Sequence, residues 1–501
     1  MVVETLERIG PCMSGTLTRH LAGSGLAAET ARKRLSRAIA AGAVNTIEGL
    51  NFTHNAKFVY LPQQKKKLDF ARNLKEAIVE AGGAYARAIL AVQGRRVVPK
   101  WQFPIACGAP LQRKKHLTPI QVLDRLRDAG VFVEQDVPGL GSVIAMADRA
   151  QSIPPADIAA TIARQTGESL LLDMVRDWSR RLGISAWDAV RVRKPRGPLP
   201  EVGSYAWDIA SPSYLLPLAQ RGKSGKKPGF FACDVLLGGT VQEQAASVFR
   251  HKCEELRHLN VAPVLALFVA DSYQRKAFND LKAAGIIPAT VRSLFGKDAA
   301  EAFQDLARVL TGALKGSLDT PILADAVRRL TKIEGARGNL QGALFEYLVA
   351  EIIRHQQPHM RLEMNKHIKD RSGKDVEIDV WGFDRPHPLR FVECKGREPG
   401  SEVADGEIDL WLDRRIPAIR DYLTRHAALE GTSAARPAFE LWLTGRLSEV
   451  SAKRIEKTRE ANKRVFDLVV VHADGVLSAA SATGNGALVD TLELLFKDRP
   501  G

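Results

Sequence analysis

Two stretches near the start of the chain share one hydrophobic rhythm. From Glu29, the run ETARKRLSRAIAAG sets Ala31, Leu35, Ala38 and Ile39 on one face of a 3.6-residue period, Arg32, Lys33, Arg34 and Arg37 crowd the remainder, and Gly42 ends it. The segment AVNTIEGLNFTHNAKFVYLP then has strand-forming residues on either side of a polar, glycine-containing turn, which predicts a hairpin after the helix and after the short helical segment GTLTRHLA. The rhythm returns from Thr118. Thr118 and Pro119 form a cap and first-turn pair, Ile120, Leu123 and Leu126 share a face, and VFVEQDVPGLGSVIAM reads as two strands around Pro138 and Gly139.

Further along, NLQGALFEYLVAEIIRHQ carries Leu344, Phe345, Leu348, Val349, Ile352 and Ile353 at helical spacing, with Glu346 on the flank of that stripe. The strand DVEIDVWGF follows, with Val376, Ile378 and Val380 on one face and Asp375, Glu377 and Asp379 on the other. After the polar turn DRPHP comes the strand LRFVECKG, then EIDLWLDRRIPAIRDYLTRH as a helix, FELWLTG as a strand, SAKRIEKTREANKR as a helix, VFDLVVVHADGV as a strand and LVDTLELLF as a last helix. Residues 230–315 repeat this order, from FFACDVLLGG through VLALFVAD to DAAEAFQDLARVL. Leu265 and Leu441, and Ile286 and Arg464, stand nearly the same distance apart along the chain, as a duplicated fold requires. SLLLDMVRDWSRRLG, AVRVRK and SYAWDIAS supply the earlier elements of the first copy.

A length of 501 residues with 45% apolar content supports about three or four domains. The formal net charge of +15 favours polyanions, with nucleic acid as the leading partner. No apolar run spans a bilayer, and MVVETLERIGPCMSG lacks the basic-then-apolar pattern of a signal peptide, so the expectation is a soluble cytoplasmic protein with no membrane partner. The five cysteines, Cys12, Cys107, Cys233, Cys253 and Cys394, form neither a CxxC pair nor an even disulfide framework and are expected as reduced thiols. GKSGKKPG lacks the glycine spacing of a phosphate-binding loop, GNGALVD lacks a dinucleotide fingerprint, and no nucleotide cofactor is evident. Pro358 argues against His355 and His359 sharing a helical zinc site.

The helix-then-hairpin segments are similar to winged helix-turn-helix modules. That likeness implies that Arg32, Lys33, Arg34 and Arg37 contact DNA from a helix in the major groove while the hairpin touches phosphates. The second module's helix is nearly neutral and reads as a packing or dimerisation copy, although the basic runs Lys65 to Lys67 and Arg113 to Lys115 could meet a backbone.

The chemistry concentrates in FVECKGR. Alternation puts Glu393 and Lys395 on one side of a strand and Val392 and Cys394 on the other, and burying such a pair is costly unless something compensates it. A solvated edge pair is one answer. The other is a hard-oxygen site in which Asp379 and Glu393 hold Mg²⁺ or Mn²⁺ and Lys395 orients or deprotonates the attacking water. Glu377 is a rival for a secondary acid role.

Glu346 in GALFEYLVAEII, Asp379 in EIDVWG, and Glu393 and Lys395 in VECKG together resemble the PD-(D/E)XK nuclease superfamily, in particular its Mrr-like and Holliday-resolvase-like branches, over about residues 335–495. Ile378 stands where the namesake motif has proline. The resemblance implies metal-dependent hydrolysis of DNA phosphodiesters, with Asp379, Glu393, Lys395 and Glu346 catalytic, and Asp379, Glu393 and the carbonyl of Cys394 as metal ligands. In the upstream copy Asp208 and Asp234 match the acids, but Leu236 stands at the lysine position, which implies a degenerate nuclease domain serving packing or substrate binding.

The expected fold is thus α/β and multidomain: winged modules at 1–64 and 65–150, a degenerate restriction-endonuclease-like domain at 151–318 and a nuclease domain at 319–501, each of the latter two around a central mixed sheet. A single active site cuts one strand, so a double-strand break would need a homodimer or sequential nicking. Defence against foreign DNA is the natural use. A non-enzymatic DNA-binding regulator, a repair or junction nuclease, and an RNase stay open.

Overall fold

In the computed structural model, the described residues are all but 51, 53–54, 67–68, 148–152, 196, 223–224, 260, 315, 334–335, 384–388, 431–435 and 498–501. The expected turn at 384–388 and Lys67 of the basic run lie outside them. The chain divides into two compact units, Met1–Asp136 with Ser142–Thr161 and Ser179–Ala289, and Val137–Gly141 with Ile162–Trp178 and Thr290–Gly501. No helix among the described residues is long and apolar enough to cross a membrane.

The first unit opens with α1 (Val2–Ile9), β1 (Cys12–Met13), α2 (Ser14–Gly23), α3 (Ala28–Ala40), β2 (Asn45–Thr46) and β3 (Phe58–Tyr60), the strands forming an antiparallel sheet in the order β1-β3-β2. Ala31 and Leu35 of α3 are buried against Leu6, Leu17 and Leu21, as their period requires. After α4 (Asp69–Ala81) the same element order recurs as α5 (Gly83–Arg95), β4 (Val97–Pro99), α6 (Phe103–Cys107), α7 (Pro119–Asp128), β5 (Phe132–Val137) and β6 (Gly141–Met146), again with the first strand beside the last, β4-β6-β5. Thr118 caps α7 in a capping box with Gln121. One expectation fails here. Ile120 is 69% exposed, because the buried face of α7 is set by Pro119, Val122, Leu123 and Leu126, and Ile120 falls outside that stripe.

The long helix α8 (Pro155–Arg181) leads into β7 (Arg191–Val192), the short pair β8 (Glu201–Val202) and β9 (Tyr205–Ala206), β10 (Ile209–Ser213), the pair β11 (Gln220–Gly222) and β12 (Gly225–Lys227), and β13 (Gly229–Val241). Then come α9 (Glu243–His258), β14 (Val264–Tyr273), α10 (Arg275–Ala283) and β15 (Ile287–Thr290). The sheet order is β15-β14-β13-β10-β7, with β7, β10 and β13 antiparallel neighbours and β14 parallel to β13. A parallel pair needs a crossover, and α9 supplies it.

The second unit holds α11 (Val291–Phe295), α12 (Lys297–Ala313), α13 (Thr320–Leu330), α14 (Ala336–Gln356), β16 (Arg361–Lys369), β17 (Asp375–Phe383) and β18 (Arg390–Lys395). It continues with α15 (Asp405–Leu410), a π-helical turn at Trp411–Arg415, α16 (Ile416–Glu430), β19 (Ala438–Leu443), α17 (Glu449–Asn462), β20 (Asp467–Val471), α18 (Ala473–Ser481) and α19 (Gly486–Phe496). Its sheet runs β16-β17-β18-β19-β20, antiparallel across the first two junctions and parallel across the last two. The two five-stranded mixed sheets therefore place their strands in the same chain order, with a helical crossover after the third strand of each. The expected single helix EIDLWLDRRIPAIRDYLTRH is instead α15, the π turn and α16.

Candidate active site

The core of the downstream sheet fixes the frame. Trp381, Phe391 and Phe439 share one apolar cluster with Ile378, Val376, Trp411 and Ile416. Ile378 and Trp381 meet the same cluster although three residues apart, so the regular pleat is broken between them. The break falls at Asp379. On the facing strand, Met364 pairs with Val380 and Lys366 with Ile378, while Asn365 between them has φ 51° and leaves the ladder.

Asp379 and Glu393 are 6% and 4% exposed. Asp379 Oδ2 accepts the backbone N–H of Cys394 at 2.7 Å, which ties the end of β18 to β17. Glu393 Oε1 pairs with Lys395 Nζ at 2.8 Å, and Lys395 also reaches Glu407 Oε2 at 3.3 Å. Arg415 joins the acids: its Nη1 contacts Glu393 Oε2 and lies 3.6 Å from Asp379 Oδ1. Oxygens from two strands thus face one cationic nitrogen, and the two carboxyl groups converge.

The electrostatics follow from this crowding. Burial, then Glu393 and Glu346, push the Asp379 carboxyl well above its ordinary range. Glu346, on α14 among the buried residues Leu344, Phe345 and Tyr347, is pushed up to about 8 by burial and by Glu377 and Glu393, against a hydrogen bond from Asn365. Burial alone would lower the Lys395 ammonium, but Glu393, Asp379 and Glu407 hold it above its ordinary value. Burial pushes the Cys394 thiol well above its ordinary value.

Four of the expected site residues therefore meet: Asp379, Glu393, Lys395 and, through its charge coupling to them, Glu346. Cys394 contributes its backbone N–H to Asp379. Glu377 is half-buried beside His367, with its Oε1 3.8 Å from His367 Nε2. Sequence reasoning missed Arg415. A donor set of two carboxylates fits a small hard cation that keeps most of its waters; among the described residues no group of three or more His, Cys, Asp or Glu is arranged as a closed metal cage.

In the first unit, Arg32, Lys33, Arg34 and Arg37 are all exposed on α3, and Lys33 pairs with Glu29 at 2.8 Å. A groove of about 700 Å³ runs beside them, lined by Arg19, Arg32, Ser36 and Lys57. Of the second basic run, Lys114 and Lys115 are exposed, whereas Arg113 is taken up by an ion pair with Glu255.

The upstream sheet repeats the acid geometry. Asp208 Oδ2 accepts the backbone N–H of Val235 at 2.7 Å, as Asp379 accepts that of Cys394, and Asp234 stands where Glu393 does. Leu236 occupies the position of Lys395. Here the charges are closed off. Arg193 Nε lies 2.6 Å from Asp208 Oδ1 with both side chains buried. Lys252 of α9, 0% exposed, pairs with Asp234, donates to the Ala206 carbonyl at 3.0 Å and lies 4.1 Å from the centre of the Trp207 ring.

No protein-family model matches the chain, and no curated protein matches it. Among solved structures, the restriction endonuclease FokI aligns at 10% identity with a TM-score of 0.24, over 94% of this chain and 83% of that one.

Proposed function

We propose that the chain is a metal-dependent DNA endonuclease of the PD-(D/E)XK type, acting in defence against foreign DNA. The observation that carries the reading is the convergence of Asp379 and Glu393 oxygens on a single cationic nitrogen, with Lys395 2.8 Å from Glu393. Asp379, Glu393 and the carbonyl of Cys394 would hold Mg²⁺ or Mn²⁺, which supplies an activated water and neutralises charge on the phosphate. Lys395, kept as an ammonium by its acidic neighbours, orients the attacking water and offsets the negative charge that builds on the phosphoryl oxygens. Glu346 borders the acids from α14 and orients water at their edge. The water oxygen bonds to phosphorus as the bond to the leaving sugar oxygen breaks.

The four-part organisation belongs to the same proposal. The order helix, strand, helix, helix, strand, strand, found twice, supports two winged modules, with the exposed cations of α3 on DNA. The locked acids of the upstream sheet support a degenerate partner domain. A double-strand break requires two copies of the chain or two successive nicks.

Incubating supercoiled plasmid with the full chain and Mg²⁺, beside Lys395→Ala and Asp379→Ala, tests the reading. Relaxed or linear product from the wild type alone is expected. Plasmid left intact by all three but shifted on a gel would establish a second reading, a non-enzymatic DNA-binding regulator. That alternative draws on the ion pairs that already neutralise the acids in both sheets.

A further inference from the structure

Arg415 has no part in the nuclease reading, yet it touches both acids on which that reading rests. It closes the π-helical turn Trp411–Arg415, a geometry that is rare within helices and frequent at functional sites. Its neighbours Trp411, Leu412 and Ile416 are anchored in the apolar core, so its backbone is fixed. Its side chain is 21% exposed, and its Nη1 sits against Glu393 Oε2 and 3.6 Å from Asp379 Oδ1. Any ion held by these two carboxylates needs the oxygens that Arg415 already faces, and two cations at such a separation repel strongly where water is scarce.

The upstream sheet supplies the contrast. There Lys252, on the crossover helix after the third strand as Arg415 is on the crossover after its own third strand, is 0% exposed and wedged between Asp234, the Ala206 carbonyl and Trp207. It has no path out. A cation from the crossover thus faces the second acid in both sheets, fully buried upstream and about one-fifth exposed downstream.

We propose that Arg415 is a displaceable counter-ion: it competes with the divalent cation for Asp379 and Glu393, and so sets the metal concentration at which the site becomes competent. The inference rests on the nuclease reading but makes a claim of opposite sign to that of a merely structural arginine, since its removal strengthens metal binding.

Titration of the full chain with Mn²⁺, following free ion by electron paramagnetic resonance in the absence of DNA, tests it with wild type, Arg415→Gln, Arg415→Lys and Asp379→Asn. Arg415→Gln should bind Mn²⁺ about tenfold more tightly than wild type. Arg415→Lys, which keeps the charge and loses the planar fork, should fall between them, and Asp379→Asn should lose the site. Unchanged or weaker binding by Arg415→Gln, with wild-type circular dichroism, overturns the inference while leaving the nuclease reading intact. If Arg415→Gln does not fold, the same comparison between Arg415→Lys and wild type decides. Binding seen in Arg415→Gln and not in wild type supports the competition. The lack of any binding dependent on Asp379 in every variant removes the nuclease reading and this inference together.

Discussion

The upstream and downstream sheets hold their first acid alike and surround it differently. In each, the N–H one residue beyond the second acid donates to the first at 2.7 Å. Across the ladder from the first acid, the upstream sheet has Arg193 and the downstream sheet Asn365. After the second acid they have Leu236 and Lys395, and on the crossover Lys252 and Arg415. A buried ion pair with satisfied partners is stable to keep and costly to break, so fixed cations make the upstream acids part of the core. Downstream, the cation Arg415 is partly exposed and the facing residue is the neutral Asn365. The supply of positive charge, more than the acids themselves, distinguishes the two sheets.

The widest gap between the two is expected in catalysis. Lys395→Ala or Asp379→Ala should lower plasmid cleavage roughly 10²–10³-fold or more, and adding Leu236→Lys to Lys395→Ala should restore none of it, because Arg193 and Lys252 still claim the upstream acids. Recovery of nicking in that double variant would break the comparison. Stability should separate them next. Lys252→Met leaves Asp234 buried without its cation and should cost about 3–5 kcal/mol in urea unfolding. Arg415→Gln, with Lys395 still on Glu393, should cost only on the order of 1–2 kcal/mol; equal losses would show both cations to be structural. In the first unit, Arg34→Ala combined with Arg37→Ala should make the logarithmic salt slope of DNA affinity shallower by about 2, measured by fluorescence anisotropy.

The smallest effect concerns His251, beside Lys252 on α9, which burial and Arg87 lower to about 4. The unfolded chain, with an ordinary histidine near 6.5, binds the proton first. The stabilisation is therefore present above about pH 6.5 and lost as pH falls towards 4. His251→Gln should flatten the pH dependence of thermal unfolding in that window.

Much of this is legible in the sequence. Alternation in FVECKGR put Glu393 and Lys395 together, and the repeated order of strands and helices exposed the matching sheets, down to Leu236 in place of the lysine. The cations were not legible. Arg415 and Lys252 come from crossover helices, and which helical residue reaches a strand end depends on the crossing of helix and sheet, which no local period encodes. The π turn that aims Arg415 has no sequence signal either, and EIDLWLDRRIPAIRDYLTRH reads as one unbroken helix. Asn365 hid for a related reason: its positive φ interrupts a strand whose pattern is otherwise regular.

Asn365 also has a neighbour far away in sequence. Its carbonyl accepts the N–H of Gly139 at 2.8 Å, and Gly139, at φ +78°, sits so close that an added Cβ would lie 3.2 Å from Ile162 Cδ1 and 3.6 Å from Asn365 Cβ. The amide that steadies Glu346 is therefore propped from behind by a tight turn belonging to the early hairpin. A change as small as one methyl group at Gly139 reaches the acidic cluster through a single intervening residue, Asn365.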